Sequence, residues 1–134
     1  MLGELDLIAP ALLRPHEEID AERLDRLVEE IRSAGTFYPP VLVDRKSHVI
    51  LDGHHRWRAS ERLGFLVLPC YTVDYFDDPA IRVMSRRPGI EVTKQSVIDM
   101  ALSGRTYPEK TTRHMYDLPE SIEPVPLDRL LPRL

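Results

Sequence analysis

The chain has 134 residues, 43% of them hydrophobic and 30% charged, with a formal net charge of -4. This length suffices for one domain with one hydrophobic core, and the balance is that of a folded protein rather than a disordered one. The acidic surplus disfavours duplex DNA as a partner, because phosphate contacts dominate affinity for DNA. The single cysteine, Cys70, excludes an internal disulfide.

The sequence shows no pattern typical of a secretory or membrane-spanning segment. The first residues lack the basic cluster and apolar run of a signal peptide, and no stretch approaches about 20 apolar residues. We therefore expect a cytoplasmic protein without a membrane partner. The sequence leaves the oligomeric state open.

The first half of the chain predicts a strand, a helix and a hairpin, in that order. Residues 5–13 are apolar and favour a strand or an extended segment. Hydrophobic residues at helical spacing over 24–31 predict a helix that Asp20 caps and Gly35 ends. Two β-rich runs within 41–51 flank a polar linker, which is typical of a hairpin.

A short helix and another strand are predicted next. The helix follows Asp52-Gly53 and ends at Gly64. Residues 67–75 are β-rich, but Pro69 interrupts the run and therefore favours a strand near the edge of a sheet.

The second half predicts fewer regular elements. Residues 81–85 favour a short strand, Thr93 caps a helix that extends to residue 102, and 105–114 is a polar segment. The leucines of the proline-spaced tail, at 127, 130 and 131, are expected to pack on the core. The predicted architecture is α+β, one domain over 1–134. A small mixed β-sheet with packed helices forms its core over 1–78, and an extension over 79–134 covers the site.

The turn Asp52-Gly53-His54-His55-Arg56, between a strand and a helix, is the strongest candidate site. The start of a helix presents unpaired N–H groups and the positive end of a dipole, where a phosphate binds. Gly53 lets the backbone approach a ligand, and the two histidines and the arginine add donors. Asp52 would be explained by a bound Mg²⁺ or by an amine to hold. The alternative is an ordinary turn in which Asp52 caps the helix.

A second polar block follows late in the chain. Its residues are Lys110, Thr111, Thr112, Arg113 and His114. Cationic groups and hydroxyls of this kind suit a second phosphate clamp, which would face the Gly53 turn and hold a polyphosphate from two sides. The alternative is a solvated loop.

Glu17 is the candidate general base for a substrate hydroxyl, and Glu18 is the fallback. Both carboxylates precede a helix, where the dipole alone also favours acidic residues. His55 or Arg56 could stabilise charge on a transferred group. His16 is not expected to bind zinc, because no His/Cys cluster of the required spacing accompanies it.

These residues resemble known motifs. Gly53, Arg56 and Ala59 match the G-x-x-R-x-x-A pattern of ParB-like domains, whose turn binds nucleotide phosphates. The Gly-His-His-Arg order is similar to the Gly-Cys-His-Arg motif of sulfiredoxins. His54 stands in the position of the sulfiredoxin catalytic cysteine, so sulfiredoxin chemistry is not expected.

Within this superfamily the chain most resembles the free L-serine kinases. They share an early His-Glu, an Asp-Gly-His-His-Arg turn and a late Pro-x-Lys-Thr-Thr-Arg-His stretch, which here are 16–17, 52–56 and 108–114. The resemblance implies transfer of a phosphoryl group from ADP or ATP, with Mg²⁺ at Asp52, to free L-serine, giving O-phospho-L-serine.

The implied roles divide into two groups. The catalytic residues would be Glu17, Asp52 and His55, and the nucleotide would be bound by Gly53, His54, Arg56, Lys110, Thr111, Thr112, Arg113 and His114. The serine kinases are longer between the turn and the late block, so the intervening region is trimmed here or substrate use has changed.

Two other functions stay open from the sequence. One is a ParB-like switch that binds CTP, or a DNA-associated regulator, although no basic recognition helix follows Tyr75. The other is a metal-dependent nuclease, in which Asp52, His54 and His55 would hold the metal ion.

Overall fold

The centre of the fold is a four-stranded sheet in the computed structural model, which describes residues 3–133. Strand β1 (Glu4–Ile8) is antiparallel to β5 (Leu68–Val73), and β5 is parallel to β3 (Val41–Asp44). Strand β3 is also antiparallel to β4 (Ile50–Asp52), so the order is β1-β5-β3-β4. The predicted hairpin and the predicted mixed sheet are both confirmed.

Helices α1 (Ala21–Ala34) and α2 (His54–Leu63) pack together on one face of this sheet. The Asp20 side chain accepts a hydrogen bond from the N–H of Glu22, and Gly35 ends α1 with a φ of 72°. Helix α3 (Lys94–Leu102) begins at Thr93 with a capping box and packs on the other face. The predicted helices and their caps are confirmed.

Side chains of β3 alternate between two hydrophobic clusters, as expected for a strand that is covered on both faces. Val41 and Val43 belong to the cluster with α1 and α2, whereas Leu42 belongs to the cluster with α3. The α+β architecture predicted from the sequence is therefore the observed one.

Two small two-stranded sheets complete the fold. Strand β2 (Thr36–Phe37) pairs with β8 (Val125–Pro126), and β6 (Arg82–Ser85) pairs with β7 (Thr112–Met115). Leu130 is completely buried in the cluster with α1 and α2, while Leu127 and Leu131 pack against it, as predicted for the tail. Among residues 3–133 no helix has the length and apolarity needed to cross a bilayer.

Three sequence-based expectations are corrected. The strand predicted over 5–13 ends at Ile8, and a 3-10 turn at Pro10–Leu12 follows. Strand β5 lies between β1 and β3, so the edge position inferred from Pro69 is wrong. The parallel ladder between β5 and β3 begins at Cys70, one residue after Pro69. This ladder therefore needs no backbone N–H from Pro69. The late block, predicted only as a polar segment, forms β7 from Thr112 onward.

Candidate active site

A cavity of about 730 Å³ lies where β4 ends and α2 begins, and the late block forms its opposite side. The cavity is lined by six cationic side chains, which are Arg23, Arg26, Arg56, Arg86, Lys110 and Arg113. Its acidic lining residues are Glu17, Glu30 and Asp52. Six cations against three carboxylates give this cavity a local charge of about +3 in a chain of net charge -4. Such a surface attracts an anionic ligand.

Gly53 precedes the first residue of α2 and has a φ of 106°. A Cβ atom there would lie 2.8 Å from Nη2 of Arg56 and 3.1 Å from Cγ2 of Val41. A side chain is therefore disfavoured by the positive φ, and it would require Arg56 and Val41 to shift. The first N–H groups of α2 have no partner within the helix, and they begin at the cavity wall.

Asp52 lines the cavity next to this helix start. The hydroxyl of Tyr116 donates a hydrogen bond to Oδ2 of Asp52 at 2.6 Å, and Nη2 of Arg56 lies 3.8 Å from the same oxygen. Burial, followed by the charge of Asp52, raises the pKa of Tyr116, so its hydroxyl remains a donor. Helix α2 has no side-chain cap, so the alternative in which Asp52 merely caps the helix does not hold.

The two histidines of the turn make different contacts. Nε2 of His54 accepts from the backbone N–H of His16 at 3.1 Å, and the residue is buried. Nε2 of His55 accepts from the N–H of Asp20 at 2.9 Å. Burial is the main cause that lowers the pKa of both imidazoles, so both are neutral near pH 7. Because Nε2 accepts in each ring, the ring proton lies on Nδ1.

Glu17 joins the early segment to the late block. Its Oε1 accepts from the N–H groups of Thr111 at 3.1 Å and Thr112 at 2.7 Å, and from the Thr112 hydroxyl at 2.9 Å. Backbone bonds between Tyr107 and its partners His16 and Glu18 fix the same junction. Glu17 lines the cavity, whereas Glu18 does not and accepts only a long hydrogen bond, of 3.4 Å, from Thr106.

The late block contributes two exposed cations, Lys110 and Arg113, to the cavity. Thr111 is completely buried, is absent from the cavity lining, and its hydroxyl donates to the carbonyl of Pro108 at 2.6 Å. Nε2 of His114 lies 2.8 Å from the Tyr75 hydroxyl, and burial lowers the pKa of His114 to about 3. The cationic part of the predicted clamp therefore reaches the cavity, while the hydroxyl of Thr111 does not.

His16 does not line the cavity but contacts three residues that do, His54, Thr112 and His114, and these contacts were not predicted from the sequence. It is completely buried, and its Nδ1 donates to the carbonyl of Ile50 at 2.6 Å. Its Nε2 lies 2.9 Å from Oγ1 of Thr112. The ring centroid is 4.5 Å from that of His54 and 5.8 Å from that of His114. His16 thus links the end of β4, the start of α2 and the late block.

Several cavity residues were not predicted. Arg23 and Arg26 lie on α1, one helical turn apart, and Arg86 follows β6. The i, i+3 spacing of two arginines is a signal in the sequence, but it does not by itself distinguish a ligand surface from a solvated face. Tyr116 was missed because nothing local connects it with Asp52.

Residues 3–133 contain no group of three or more His, Cys, Asp and Glu side chains that could hold a metal ion. The nuclease interpretation required Asp52, His54 and His55 as such a group. The ring nitrogen that could serve as a ligand in His54, Nε2, instead accepts a backbone hydrogen bond. This arrangement disfavours a metal centre built from protein ligands alone.

The sequence matches the family model described as ParB N-terminal domain over residues 4–86. An ATP-dependent L-serine kinase of Staphylothermus marinus is 43% identical over 70 residues, covering 49% of this chain and 28% of the relative. The ADP-dependent L-serine kinase SerK of Thermococcus kodakarensis is 29% identical over 91 residues, covering 65% and 37%. The matched region thus spans well under half the length of these curated relatives.

Solved structures share the fold. A free serine kinase in complex with AMP superimposes with a TM-score of 0.79 at 17% identity, over 97% of this chain and 94% of that chain. A conserved hypothetical protein from Pyrococcus furiosus gives 0.79 at 16% identity, over 98% of both chains. C-terminally truncated SbnI from Staphylococcus aureus gives 0.72 at 14% identity, over 92% of this chain and 88% of that chain.

The motif resemblance to ParB-like domains and to the free serine kinases is confirmed by these matches. The family model covers more than half of the chain, including the Gly53 turn and the sheet that positions it. The chain belongs to the ParB N-terminal domain family.

Proposed function

We propose that this chain is a phosphotransferase that moves a phosphoryl group from ADP or ATP to free L-serine, forming O-phospho-L-serine. One observation carries the proposal. Two cationic segments more than fifty residues apart, at Arg56 and at Lys110–Arg113, line the same cavity. The core over 1–78 supplies the first segment and the extension over 79–134 supplies the second. Relatives named as ATP- and ADP-dependent L-serine kinases support this donor and acceptor.

In this mechanism the phosphates of the nucleotide lie against the Gly53 turn. The N–H groups at the start of α2 and the Arg56 guanidinium bind one side of the phosphate chain. Lys110 and Arg113 bind the other side. Phosphoryl transfer depends mainly on such positioning and on charge neutralisation, so the enzyme needs little covalent chemistry.

His55 assists the transferred group as a neutral donor. Its Nε2 accepts from Asp20, so Nδ1 carries the proton and can donate to a phosphoryl oxygen. Glu17 takes the proton from the serine hydroxyl. Three donors on Oε1 hold this carboxylate at the cavity wall, which fixes its position before substrate arrives.

Mg²⁺ fits the residues at this cavity. The Asp52 side chain is 47% exposed, and within residues 3–133 its contacts, to Tyr116 and Arg56, involve Oδ2 alone. Mg²⁺ in phosphoryl-transfer sites is commonly held by one or two carboxylates together with substrate phosphates and water. Asp52 would therefore hold the ion with the nucleotide, and the ion would neutralise phosphate charge. We propose a cytoplasmic location, because a nucleotide and a free amino acid are substrates found there.

The direct test incubates the protein with L-serine, Mg²⁺ and either ADP or ATP, and detects O-phosphoserine by phosphorus NMR. We expect product with at least one nucleotide and none without serine. Removing Mg²⁺ with a chelator tests separately whether the reaction requires this metal ion. Absence of phosphoserine with both nucleotides, from protein whose folding is verified by circular dichroism, would falsify the proposal.

A nucleotide-binding switch is the second candidate, because the family model and several probable chromosome-partitioning proteins match this chain. One of these, a probable chromosome-partitioning protein ParB of Pseudomonas putida, is 28% identical over 79 residues. Calorimetric titration with CTP, ADP and ATP, with and without serine, separates the two functions. Preferential binding of CTP with no effect of serine would favour the switch.

A further inference from the structure

Three consecutive hydrogen-bond contacts link Glu17, through Thr112 and His16, to the Ile50 carbonyl. The Ile50 carbonyl accepts from Nδ1 of His16 at 2.6 Å, and Nε2 of His16 lies 2.9 Å from Oγ1 of Thr112. The same Oγ1 lies 2.9 Å from Oε1 of Glu17. A carbonyl oxygen can only accept, so the proton of a neutral His16 lies on Nδ1, and Nε2 has only a lone pair.

This series of hydrogen-bond contacts therefore lacks one proton when Glu17 is ionised and His16 is neutral. The hydroxyl of Thr112 has a single proton, which it donates either to Oε1 of Glu17 or to Nε2 of His16. One additional proton completes all three contacts. A proton on Oε1 lets Glu17 donate to Thr112, whose own proton then turns to His16.

The surroundings of His16 decide where the additional proton resides. The groups that face the imidazole are His54 from α2, His114 from β7, the Tyr107 ring 6.4 Å away and the more distant charge of Asp52. Burial lowers the pKa of His16 to about 4 against the raising effects of Ile50 and Asp52. An imidazolium is thus disfavoured, and the other proton acceptor in this hydrogen-bond chain is the Glu17 carboxylate, which lines the cavity.

We infer that Glu17, Thr112 and His16 act as one proton-accepting unit, in which Thr112 and His16 position Glu17 and stabilise its protonated form. The inference deepens the proposed function and rests on it. As the serine oxygen bonds to the phosphorus, the bond to the leaving nucleotide oxygen breaks, and that oxygen keeps the electron pair. The serine hydroxyl proton passes to Glu17, and the Thr112 hydroxyl turns from Glu17 to Nε2 of His16.

Thr112→Val tests this unit, because it removes the hydroxyl and retains the backbone N–H that binds Glu17. We expect kcat to fall about tenfold or more while the KM for nucleotide changes little. Thr112→Ser should restore most of the activity. The matched control is Thr72→Val, which removes a buried hydroxyl that bonds to the carbonyl of Glu4, away from the cavity. Equal losses in Thr112→Val and Thr72→Val would overturn the inference.

A second measurement does not depend on activity. Nitrogen and carbon NMR titrations of the protein without substrates report Nε2 of His16 and the Glu17 carboxyl. Lys110 and Arg113 are cations that line the same cavity as this carboxyl. We expect both signals to change over the same pH range, and the His16 response to disappear in Thr112→Val. If the His16 signal does not change over the pH range of the Glu17 signal, the proton-accepting unit is rejected, even if the protein is an active kinase. Coupled signals in a protein without kinase activity would reject only the proposed function.

Discussion

The two sides of the cavity are built in different ways. The Gly53 side is determined locally, because β4 ends at Asp52, α2 begins at His54, and Gly53 supplies the left-handed φ between them. The opposite side, at 110–116, is held by contacts to residues far away in sequence. Thr112, for example, binds Glu17 across 95 positions. The first side is therefore formed by short-range structure, and the second only by the completed fold.

Substitutions on the two sides should therefore have different effects, on nucleotide affinity for one side and on assembly of the cavity for the other. A change on the Gly53 side should alter the phosphate site directly, whereas a change at the junction of His16 and Glu17 should disconnect the late block. Variants at each side, compared with matched controls, test this difference.

Glu17→Gln should have the largest effect, because Glu17 joins the two sides and is the proposed base. We expect kcat to fall by about 10²–10⁴-fold with little loss of nucleotide affinity, since the amide oxygen still accepts from the late block. Glu18→Gln is the matched control, because Glu18 does not line the cavity. Steady-state kinetics and calorimetry measure the two quantities. Similar losses of kcat in both variants would contradict the assignment of the base.

Acidification should have the second largest effect, by weakening the junction of His16 and Glu17 with the late block. Burial lowers the pKa of His16 to about 4 and of His114 to about 3, so the unfolded chain binds protons first as the pH falls below about 6.5. Their contribution to stability is complete above pH 6.5 and is lost on acidification. Together they should lower the free energy of unfolding by up to about 2.7 kcal/mol per pH unit between pH 6 and 5.

Urea denaturation at several pH values measures the total slope, and His114→Gln should lower it by up to about 1.4 kcal/mol per pH unit. Hydrogen exchange at pH 5 should show lost protection in the late block before the Gly53 turn. The reverse order would contradict the proposed difference between the two sides.

Gly53→Ala should destabilise the protein and impair nucleotide binding. A Cβ atom would lie within 2.8 Å of Arg56 at a φ of 106°, and the combined strain should cost about 1–3 kcal/mol. Gly64→Ala is the control at the other end of α2, because its φ is also positive but no atom lies within 4 Å of the added Cβ. If both variants lose ADP affinity equally by calorimetry, the close approach at Gly53 has no specific role.

Lys110→Ala should have the smallest effect of the four. Lys110 is exposed, so loss of one phosphate contact should weaken ADP binding about tenfold at low salt and less at high salt. Lys46→Ala removes an exposed charge in the β3–β4 turn, outside the cavity, and should leave affinity unchanged. An affinity loss in Lys110→Ala that does not depend on salt would argue against an electrostatic contact.

Local patterns predicted the Gly53 side well. The hairpin, the caps at Asp20 and Thr93, and the helix that ends at Gly64 are all consequences of nearby residues. The edge prediction from Pro69 failed because a proline excludes only those ladder positions that need its N–H, and the parallel ladder begins one residue later. The family motifs added the late block as a candidate, which its polar composition alone did not distinguish from a loop.

The remaining parts of the site depend on long-range packing. Tyr116 meets Asp52 across 64 positions, and His16 meets Thr112 across 96. No periodicity or spacing in the sequence encodes such pairs. In the sequence, the arginines of α1 are likewise indistinguishable from an ordinary charged helix face. Only the folded structure shows that they line one cavity together with the late block.

The burial of Leu130 has a consequence for how the chain matures during synthesis. Helices α1 and α2 are synthesised before residue 130, yet the hydrophobic cluster between these helices and the sheet includes that leucine with no exposed surface. Strand β2 likewise awaits its partner β8. Apolar surface between these helices and the sheet therefore stays uncovered in the nascent chain until residues 125–130 join the fold, and such exposed surface favours aggregation.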